Sequence, residues 1–469
     1  MSKKADRFVD ERVINLINTY ISDLDKSETA VSRHNPFEAL KNKIDTTITP
    51  DGCTLDDLYK FIDNYLEYSV RTGHRQFFNQ LWSGYTLPGL LGDLFTSLTN
   101  TSMYTFEVSP VATILELALI EKMGKYIGYS DPEGQFGTGG SNGNLLAMLI
   151  ARNRELPDSK KKGVRNGQNL IAFVSDQAHY SFEKAANMIG IGTDQVQKVL
   201  SDEEGRMKPE ELERMIIQAK EEGKAPFFVA ATAGTTVRGA FDPCEQIGLI
   251  AHNYNTWFHI DGSLGGSVLL SPTHRHLLEG SDISDSFVWN AHKMMGLPLI
   301  CSAFLVKEKG NLLKTFSTSG TDYIFHENEL GAYDLGPKSP QCGRKVDVLK
   351  LWLSWKYYGD QGYADRIDRF FELSTYAEEK VKAHPALELM SERTSVNICF
   401  RYNTSKIEDL NLFNLNLREK LAREGKSLVN YANIGADVTI RLVILNHEVD
   451  RSDIDLFFEN LIQTAESLL

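Results

Sequence analysis

Long apolar runs and paired cysteines are both missing from this 469-residue sequence. No stretch approaches the roughly 18 unbroken apolar residues of a membrane span. The first residues, 1–6, are polar and have no apolar run behind them. The five cysteines lie far apart without paired spacing, which suggests neither a disulfide framework nor a zinc site. We therefore expect a cytoplasmic protein with reduced thiols and no membrane partner.

A nucleic-acid surface is not indicated either, because the formal net charge is −13. The same charge would repel an acidic small molecule unless individual arginines reverse the local field. His274 and His276 form a His-x-His pair without a third ligand, which is most often a surface feature, so we expect no metal site. With 42% hydrophobic residues, the chain can bury a large core spread over two or three structural units.

Two amphipathic helices are predicted in the N-terminal part. Apolar residues recur there at helical spacing in two groups, and Thr54 is a candidate N-cap for the second. Periodicity does not tell whether such helices cover their own core or a neighbouring subunit. The first group is Phe8, Val9, Val13, Ile14, Ile17 and Ile21, and the second is Leu55, Leu58, Ile62, Tyr65 and Leu66.

Short apolar runs alternate with helical stretches between residues 105 and 306. The runs are rich in β-branched and aromatic residues, and this alternation predicts an α/β fold with a mainly parallel sheet covered on both faces. A helix over 348–358, followed by strand-like pieces at 396–402 and 438–445, predicts a smaller α+β domain. We divide the chain into a helical segment (1–85), a large domain (86–350) and a small domain (351–469). The runs of the large domain are 170–174, 227–231, 257–260, 287–289 and 300–306.

Two strand ends carry residues with a specific chemistry, and in such folds ligands bind at the carboxyl ends of strands. Asp261 precedes a turn of small residues, and a carboxylate there can keep a pyridine nitrogen protonated; a helix-capping role is about equally plausible. Lys293 can form a Schiff base with an aldehyde cofactor if its pKa is lowered, whereas a lone lysine is usually a surface residue. One strand-helix-strand crossover separates the two, so we expect neighbouring positions.

Three further segments fit the same pocket. His179 follows the run 170–174 and could stack on a flat ring, although a lone histidine is more often structural. Thr232 offers a hydroxyl beside a glycine turn. The glycine-rich segment 136–144 precedes an apolar helical run, and free NH groups at a helix start bind phosphate. It lacks the Walker lysine, so a nucleotide loop is not supported.

With these motifs in order, the sequence resembles the group II pyridoxal-phosphate decarboxylases, in the branch that contains glutamate, cysteine sulfinate and aspartate decarboxylases. The resemblance covers the chain from about Phe77 to the C-terminus. It implies fold type I, pyridoxal 5'-phosphate as cofactor, a homodimer with sites at the subunit interface, and a role in dimerisation for the N-terminal helical segment 1–85. The motifs that carry it include Phe78-Asn-Gln-Leu81, Gly139-Gly140, His179, 231–236, His259-Ile-Asp261, Trp289-Asn-Ala-His-Lys293, Gln341-Cys-Gly-Arg344 and Arg441.

The resemblance also implies roles for single residues. Lys293 carries the cofactor, Asp261 contacts its ring nitrogen and His179 stacks on its ring. The remaining cofactor contacts that it implies are Gly140, Ser141, Thr232 and His292, with Ser141 and His292 at the phosphate.

Substrate contacts are implied for Gln80, Trp82, Ser102, Tyr104 and Arg441. Trp82, Ser102 and Tyr104 resemble the aromatic-Ser-Tyr set of cysteine sulfinate decarboxylases, and the bulky Trp82 would favour a short acid. Arg441 would bind a carboxylate through its planar fork, with a sheet-edge ion pair as the alternative.

The chain departs from the family at two places. Residues 262–264 read Gly-Ser-Leu, where the branch usually has Ala-Ala followed by Trp or Tyr. Tyr333 and Asp334 resemble the Tyr-Asp pair of a mobile catalytic loop, but lie a few residues closer to Gln341. Tyr333 is predicted to be catalytic, with packing of the loop as the alternative.

Together these features predict α-decarboxylation of a small acidic L-amino acid, aspartate or cysteine sulfinate. Three alternatives stay open: a glutamate decarboxylase that makes GABA, a fold type I aminotransferase, and a non-catalytic regulator that kept the fold.

Overall fold

The computed structural model describes residues 11–26, 28–164, 168–326 and 329–469. These residues form two compact units. The smaller takes in the described residues of Met1–Gly84, Tyr376–Met390 and Phe400–Leu469, and the larger takes in those of Tyr85–Thr375 and Ser391–Cys399. The division into the segments 1–85, 86–350 and 351–469 stays a prediction. No helix among the described residues is long and apolar enough to cross a membrane.

A seven-stranded sheet forms the centre of the larger unit. The strands, numbered along the whole chain, are β2 (Glu133–Gly137), β3 (Leu170–Ser175), β4 (Val196–Val199), β5 (Ala225–Thr232), β6 (Trp257–Asp261), β7 (Ser286–Asn290) and β8 (Ser302–Val306). Their order is β2-β8-β7-β6-β5-β3-β4. All neighbours pair in parallel except β2 with β8 and β7 with β8. The predicted α/β class with a mainly parallel sheet is confirmed.

Helices cover this sheet and bury its apolar residues. A core of aromatic and aliphatic side chains, including Leu146, Phe182, Phe228 and Phe304, packs between the sheet and its helices. Burial of such side chains is the main stabilising contribution. The helices of the unit are α4 (Leu87–Thr99), α5 (Pro110–Ile127), α6 (Gly140–Glu155), α7 (Ser159–Lys162), α8 (Ser181–Met188), α9 (Pro209–Glu221), α10 (Cys244–Asn253), α11 (Asn311–Phe316) and the part of α12 (Val348–Ala383) up to Thr375.

The smaller unit is built around a five-stranded sheet of order β1-β11-β12-β10-β9, where β1 is Phe77–Phe78, β9 Leu387–Leu389, β10 Asn397–Tyr402, β11 Leu428–Ile434 and β12 Asp437–Val443. Thr54 caps α3 as predicted: its side chain accepts from the backbone NH of Asp57, whose side chain in turn accepts from the NH of Thr54. Phe8 and Val9 lie outside the described residues. The helices are α1 (Glu11–Asp23), α2 (Phe37–Lys41), α3 (Leu55–Tyr68), α13 (Leu410–Glu424) and α14 (Arg451–Glu466).

Candidate active site

A small polar cavity of about 100 Å³ lies in the larger unit at the carboxyl ends of β5, β6 and β7. Strand pairing aligns these ends, since Thr232 on β5 is opposite Asp261 on β6. The sequence-predicted residues that line the cavity are Gly140, Ser141, His179, Thr232, Asp261 and Lys293. The structure therefore brings together residues that are up to 153 positions apart in the chain.

Asp261 is the buried anion of this cavity, with only 4% of its surface exposed. Its Oδ2 accepts from Asn144 Nδ2 at 2.8 Å, and its Oδ1 accepts from the backbone NH of Ser263 at 3.1 Å. Burial opposes ionisation of Asp261, but these two hydrogen bonds and the charge of Lys293 outweigh it and hold the pKa of the carboxyl below its usual range. Asp261 is therefore ionised at neutral pH.

His179 lines the same cavity, and its pKa depends on the charges of Asp261 and Lys293. Burial lowers the pKa of its imidazole, the negative charge of Asp261 opposes that shift, and the positive charge of Lys293 adds to it. A neutral imidazole next to the cavity offers a flat, weakly polar surface.

The start of α6 forms the glycine cradle. The helix begins at Gly140, and Gly139 before it adopts a φ of 115°, which favours glycine. A Cβ at Gly140 would overlap the Ser263 hydroxyl and approach Asn290 Nδ2 to 3.0 Å, so only glycine fits here. The first NH groups of this helix have no helical partner, and together with the helix dipole they favour a bound anion.

Comparisons with known proteins identify the family. The family model described as "Pyridoxal-dependent decarboxylase conserved domain" matches residues 37–403. The chain belongs to this family of pyridoxal-dependent decarboxylases. It is 40% identical over 437 residues to the cysteine sulfinic acid decarboxylase of Mus musculus, covering 90% of this chain and 89% of the relative. The acidic amino acid decarboxylase GADL1 of Homo sapiens is 37% identical over 473 residues, covering 98% and 91% of the two chains. A crystal structure of mouse CSAD superposes with a TM-score of 0.94 at 37% identity and 97% coverage of both chains.

These matches confirm that the protein is a decarboxylase of fold type I that depends on pyridoxal phosphate and acts on amino acids. The cavity fits this cofactor. Thr232 Oγ1 is buried and makes no hydrogen bond within the part of the chain that the structure describes, although it lines the cavity. A buried hydroxyl without a partner is unfavourable, so a polar group of a ligand is expected beside it. The glycine cradle and the ionised Asp261 suit a phosphate and a protonated pyridine nitrogen.

His292 is placed differently from the other predicted cofactor contacts. It does not line the cavity. Its Nδ1 lies 2.8 Å from the backbone O and 3.1 Å from the backbone N of Cys301, and the side chain is buried. A phosphate contact for His292 stays a prediction.

Two of the predicted substrate residues of the decarboxylase lie in the larger unit, beside the loop that carries Tyr333. Ser102 Oγ accepts from the backbone NH of Arg344 at 3.0 Å, and the backbone O of Tyr104 accepts from the NH of Gly336 at 2.8 Å. Gly336 follows Tyr333 in the same loop. The structure therefore joins Ser102 and Tyr104 to the two ends of the segment 336–344.

The other three predicted substrate residues belong to the smaller unit. Gln80 Nε2 donates to Asn79 Oδ1 at 2.7 Å, and Arg441 Nη2 donates to the backbone O of Asn79 at 3.1 Å. Trp82 packs its ring 6.0 Å from that of Phe77. Asn79 thus brings Gln80 and Arg441 together, although 361 positions separate them.

Several cavity residues of the decarboxylase were missed by sequence reasoning. Asn290 ends β7, so the strand-end rule that selected Asp261 applied to it as well. Asn144 lies one turn into α6, where its burial depends on contacts that only the folded chain makes. The lining residues that were not singled out are Asn144, Gly234, Thr236 and Asn290, whereas Ser263 and Leu264 belong to the departure from the family at 262–264.

Proposed function

We propose that this decarboxylase removes the α-carboxylate of a short acidic amino acid, converting cysteine sulfinate to hypotaurine or aspartate to β-alanine. The names of the relatives, a cysteine sulfinic acid decarboxylase and an acidic amino acid decarboxylase, support an acidic substrate. The observation that carries the proposal is Arg441, a guanidinium with 5% exposure beside Gln80 and Asn79. A buried cation favours a bound acid, and its planar fork suits a carboxylate or a sulfinate.

Five features of the larger unit would hold the cofactor. The amine of Lys293 would bind the aldehyde carbon of the cofactor, and the start of α6 would bind its phosphate. Asp261 would contact the ring nitrogen, and the imidazole of His179 would stack on the face of the ring. The hydroxyl of Thr232 would bind one of the cofactor's oxygens. Bound pyridoxal phosphate supplies a protonated ring that takes up the electrons left when the carboxylate departs. Asp261 keeps the proton on the ring nitrogen because it is ionised and fixed by two hydrogen bonds.

The substrate is handled by other side chains. Arg441 would bind a carboxylate of the substrate through its planar fork, and the bulk of Trp82 would limit the length of the substrate's side chain. Tyr333 would deliver a proton to the carbon that has lost the carboxylate, since its phenol is 54% exposed on a short loop.

We further propose a homodimer. Apolar side chains on α4 and α5 are exposed to 40% or more, and on α4 they recur at i, i+4 and i+7. Such a face on a folded unit is typical of a subunit interface. Phe95→Glu is expected to shift the mass measured by light scattering from dimer to monomer, whereas Leu249→Glu, at an exposed position of α10, is expected to leave that mass unchanged. The exposed residues are Leu87, Leu91, Leu94, Phe95 and Leu98 on α4 and Val111, Ile114 and Leu117 on α5.

We also propose a cytoplasmic location. It is supported by the wide spacing of the five cysteines, which the structure describes as free thiols. Cell fractionation with a compartment marker tests it.

The substrate assignment is tested by measuring the amine formed from cysteine sulfinate, aspartate, cysteate and glutamate in parallel. One of the three shorter acids is expected to have a higher kcat/KM than glutamate. A one-methylene difference is worth about 1 to 3 kcal/mol, so the preference over glutamate should be about 10-fold or more. Trp82→Phe should reduce the ratio of kcat/KM between the shorter acid and glutamate. Trp352→Phe, in the larger unit, should leave this ratio unchanged. A higher kcat/KM for glutamate in the parent enzyme contradicts the proposal.

A further inference from the structure

Five side chains form a row of hydrogen bonds that ends on Asp261. Trp257 Nε1 lies 2.8 Å from Ser286 Oγ, which lies 2.9 Å from His259 Nδ1. His259 Nε2 lies 3.0 Å from Asn144 Oδ1, and Asn144 Nδ2 lies 2.8 Å from Asp261 Oδ2. Each of the five is 4% exposed or less. We call this row the buried relay.

The fold builds the buried relay from adjacent strands and one helix. His259 on β6 is opposite Ser286 on β7, so their side chains share one face of the sheet. Asn144 reaches the same face from α6. Asp261 follows His259 by two positions and therefore also points to that face.

The direction of every hydrogen bond in the buried relay is fixed by chemistry. An indole NH only donates, so Ser286 Oγ accepts from Trp257 Nε1. An ionised carboxylate only accepts, so Asn144 must turn its NH2 towards Asp261 and its Oδ1 towards His259. In a neutral imidazole the single proton of His259 then lies on Nε2, which leaves Nδ1 to accept from the hydroxyl of Ser286.

A second contact fixes the orientation of the Asn144 amide. Its Nδ2 also donates to Ser181 Oγ at 2.9 Å, which uses the second hydrogen of the NH2 group. A turned amide would lose both donations and present its oxygen to Asp261. The amide is therefore held from both sides.

The surroundings keep His259 neutral. Its ring lies 5.8 Å from that of Phe228, 6.2 Å from Phe182 and 6.5 Å from Phe304, measured between centroids. Burial lowers the pKa of His259 to about 4, although the negative charge of Asp261 opposes the shift. A cationic His259 would leave the hydroxyl hydrogen of Ser286 without its acceptor.

We propose that His259 is a positioning residue for the cofactor: as the neutral Nε2–H tautomer, it orients the Asn144 amide and thereby fixes the ionised Asp261 for the pyridine nitrogen. This inference rests on the proposed role of Asp261 at that nitrogen. All four bonds of the buried relay donate towards Asp261, so their dipoles add and stabilise its negative charge. His259 contacts no reacting atom and acts only through Asn144.

Three variants test this role. His259→Leu removes the donor to Asn144 and allows its amide to turn. His259→Gln keeps an amide NH near the position of Nε2. Phe182→Leu disturbs the packing around the ring of His259 without removing a hydrogen bond of the relay. Circular dichroism and thermal unfolding confirm that each variant is folded.

Pyridoxal phosphate binding and the absorbance of the bound cofactor are the readouts. We expect His259→Leu to raise the Kd for pyridoxal phosphate at least 10-fold and to change the cofactor spectrum between pH 6 and 9. We expect His259→Gln to stay within about threefold of the parent, with the parent spectrum, and Phe182→Leu to keep that spectrum as well. Equal effects of all three variants, or a parent-like His259→Leu, overturn the proposal.

The tautomer is read directly in cofactor-free protein labelled with ¹⁵N-histidine. The His259 signals, assigned by their loss in His259→Gln, are expected to show a protonated Nε2 and an unprotonated Nδ1 at pH 7. A proton on Nδ1, or on both nitrogens, overturns the inference. The substrate assays are independent: a preference for glutamate would reject the proposed substrate and leave these measurements unaffected.

Discussion

Arg344 and Glu116 form an ion pair, 2.6 Å from Nη1 to Oε2, with side chains that are only 4% and 1% exposed. Arg344 also donates to the backbone O of Phe136 at 3.0 Å, and its backbone NH donates to Ser102 Oγ. Phe136 lies on β2, directly before the glycine cradle. Arg344 therefore links Ser102, through its backbone NH, to the strand that leads into the glycine cradle, through its guanidinium.

We expect Arg344→Met to lower the free energy of unfolding by about 3 to 5 kcal/mol, because it leaves Glu116 buried without its cation. Urea unfolding measures this. The double variant Arg344→Met with Glu116→Leu should recover part of the loss, since it removes both buried charges. Lys345→Met, which breaks the more exposed pair with Asp93, should lose about 1 kcal/mol or less. An equal loss in Arg344→Met and Lys345→Met would contradict this reading.

Lys293→Ala is expected to abolish turnover and leave the fold intact, because the amine that would hold the cofactor is lost while the cavity wall tolerates a smaller side chain. Amine formation and the absorbance of bound cofactor are measured together. Lys314→Ala, an exposed lysine on α11, serves as the control and should behave like the parent. Near-normal decarboxylation by Lys293→Ala would reject the assignment of this lysine.

Within the described residues, sequence reasoning predicted four of the five strands in the parallel part of the sheet, all but β4, and six of the twelve residues that line the cavity. The run 257–260 is a clear example. It is short and contains aromatic and β-branched residues, and in the structure it forms β6 (Trp257–Asp261). The rule that ligands lie at the carboxyl ends of parallel strands then brought Asp261, Lys293 and Thr232 to one cavity.

Features that depend on contacts between distant elements were not predictable. β2 (Glu133–Gly137) has two glycines and two polar residues, so it carries no strand pattern of its own and is defined by pairing with β8. The buried relay through Asn144 depends on how α6 crosses the sheet. Asn144 reads in sequence as one more polar residue of a glycine-rich segment.

His292 gives a prediction on pH. Burial, with the nearby charge of Lys293, lowers its pKa to about 4, against about 6.5 for an unfolded histidine. Between these values the unfolded chain binds a proton that the folded chain does not, so the free energy of unfolding falls as the pH falls. The part of the free energy of unfolding that depends on a neutral His292 is fully present above pH ~6.5 and amounts to roughly 3 kcal/mol.

The free energy of unfolding should fall in both the parent and His292→Gln when the pH is lowered from 7.5 to 4.5. We expect the fall to be about 2 to 3 kcal/mol smaller in His292→Gln than in the parent. Urea unfolding at equal protein concentrations measures the two slopes. His34→Gln, an exposed histidine, should follow the parent. Parallel slopes for His292→Gln and the parent would show that this imidazole does not stay neutral in the folded protein.

The loop around Tyr333 is anchored at two positions that follow this residue, Asp334 and Gly336. Asp334 is 7% exposed, and its Oδ1 accepts from the backbone NH of Phe106 at 2.7 Å. The NH of Gly336 donates to the backbone O of Tyr104. The phenol of Tyr333 is 54% exposed, and its ring lies 5.6 Å from that of Phe106. The backbone next to Tyr333 is held in place while its side chain is exposed, as is expected of a side chain that delivers a proton.

We expect Tyr333→Phe to lower amine formation far more than substrate binding. Once carbon dioxide has left, the substrate carbon must be protonated promptly, and a phenol on a closing loop can do this while excluding water. Without it, the cofactor would take up the proton instead, and hydrolysis by water would then give an aldehyde and the amine form of the cofactor, so both products should accumulate. Tyr323→Phe, 77% exposed and ten residues earlier, is the matched control. The measurement is the amount of amine formed per carbon dioxide released. An equal ratio in Tyr333→Phe and the parent would show that another group protonates the substrate carbon.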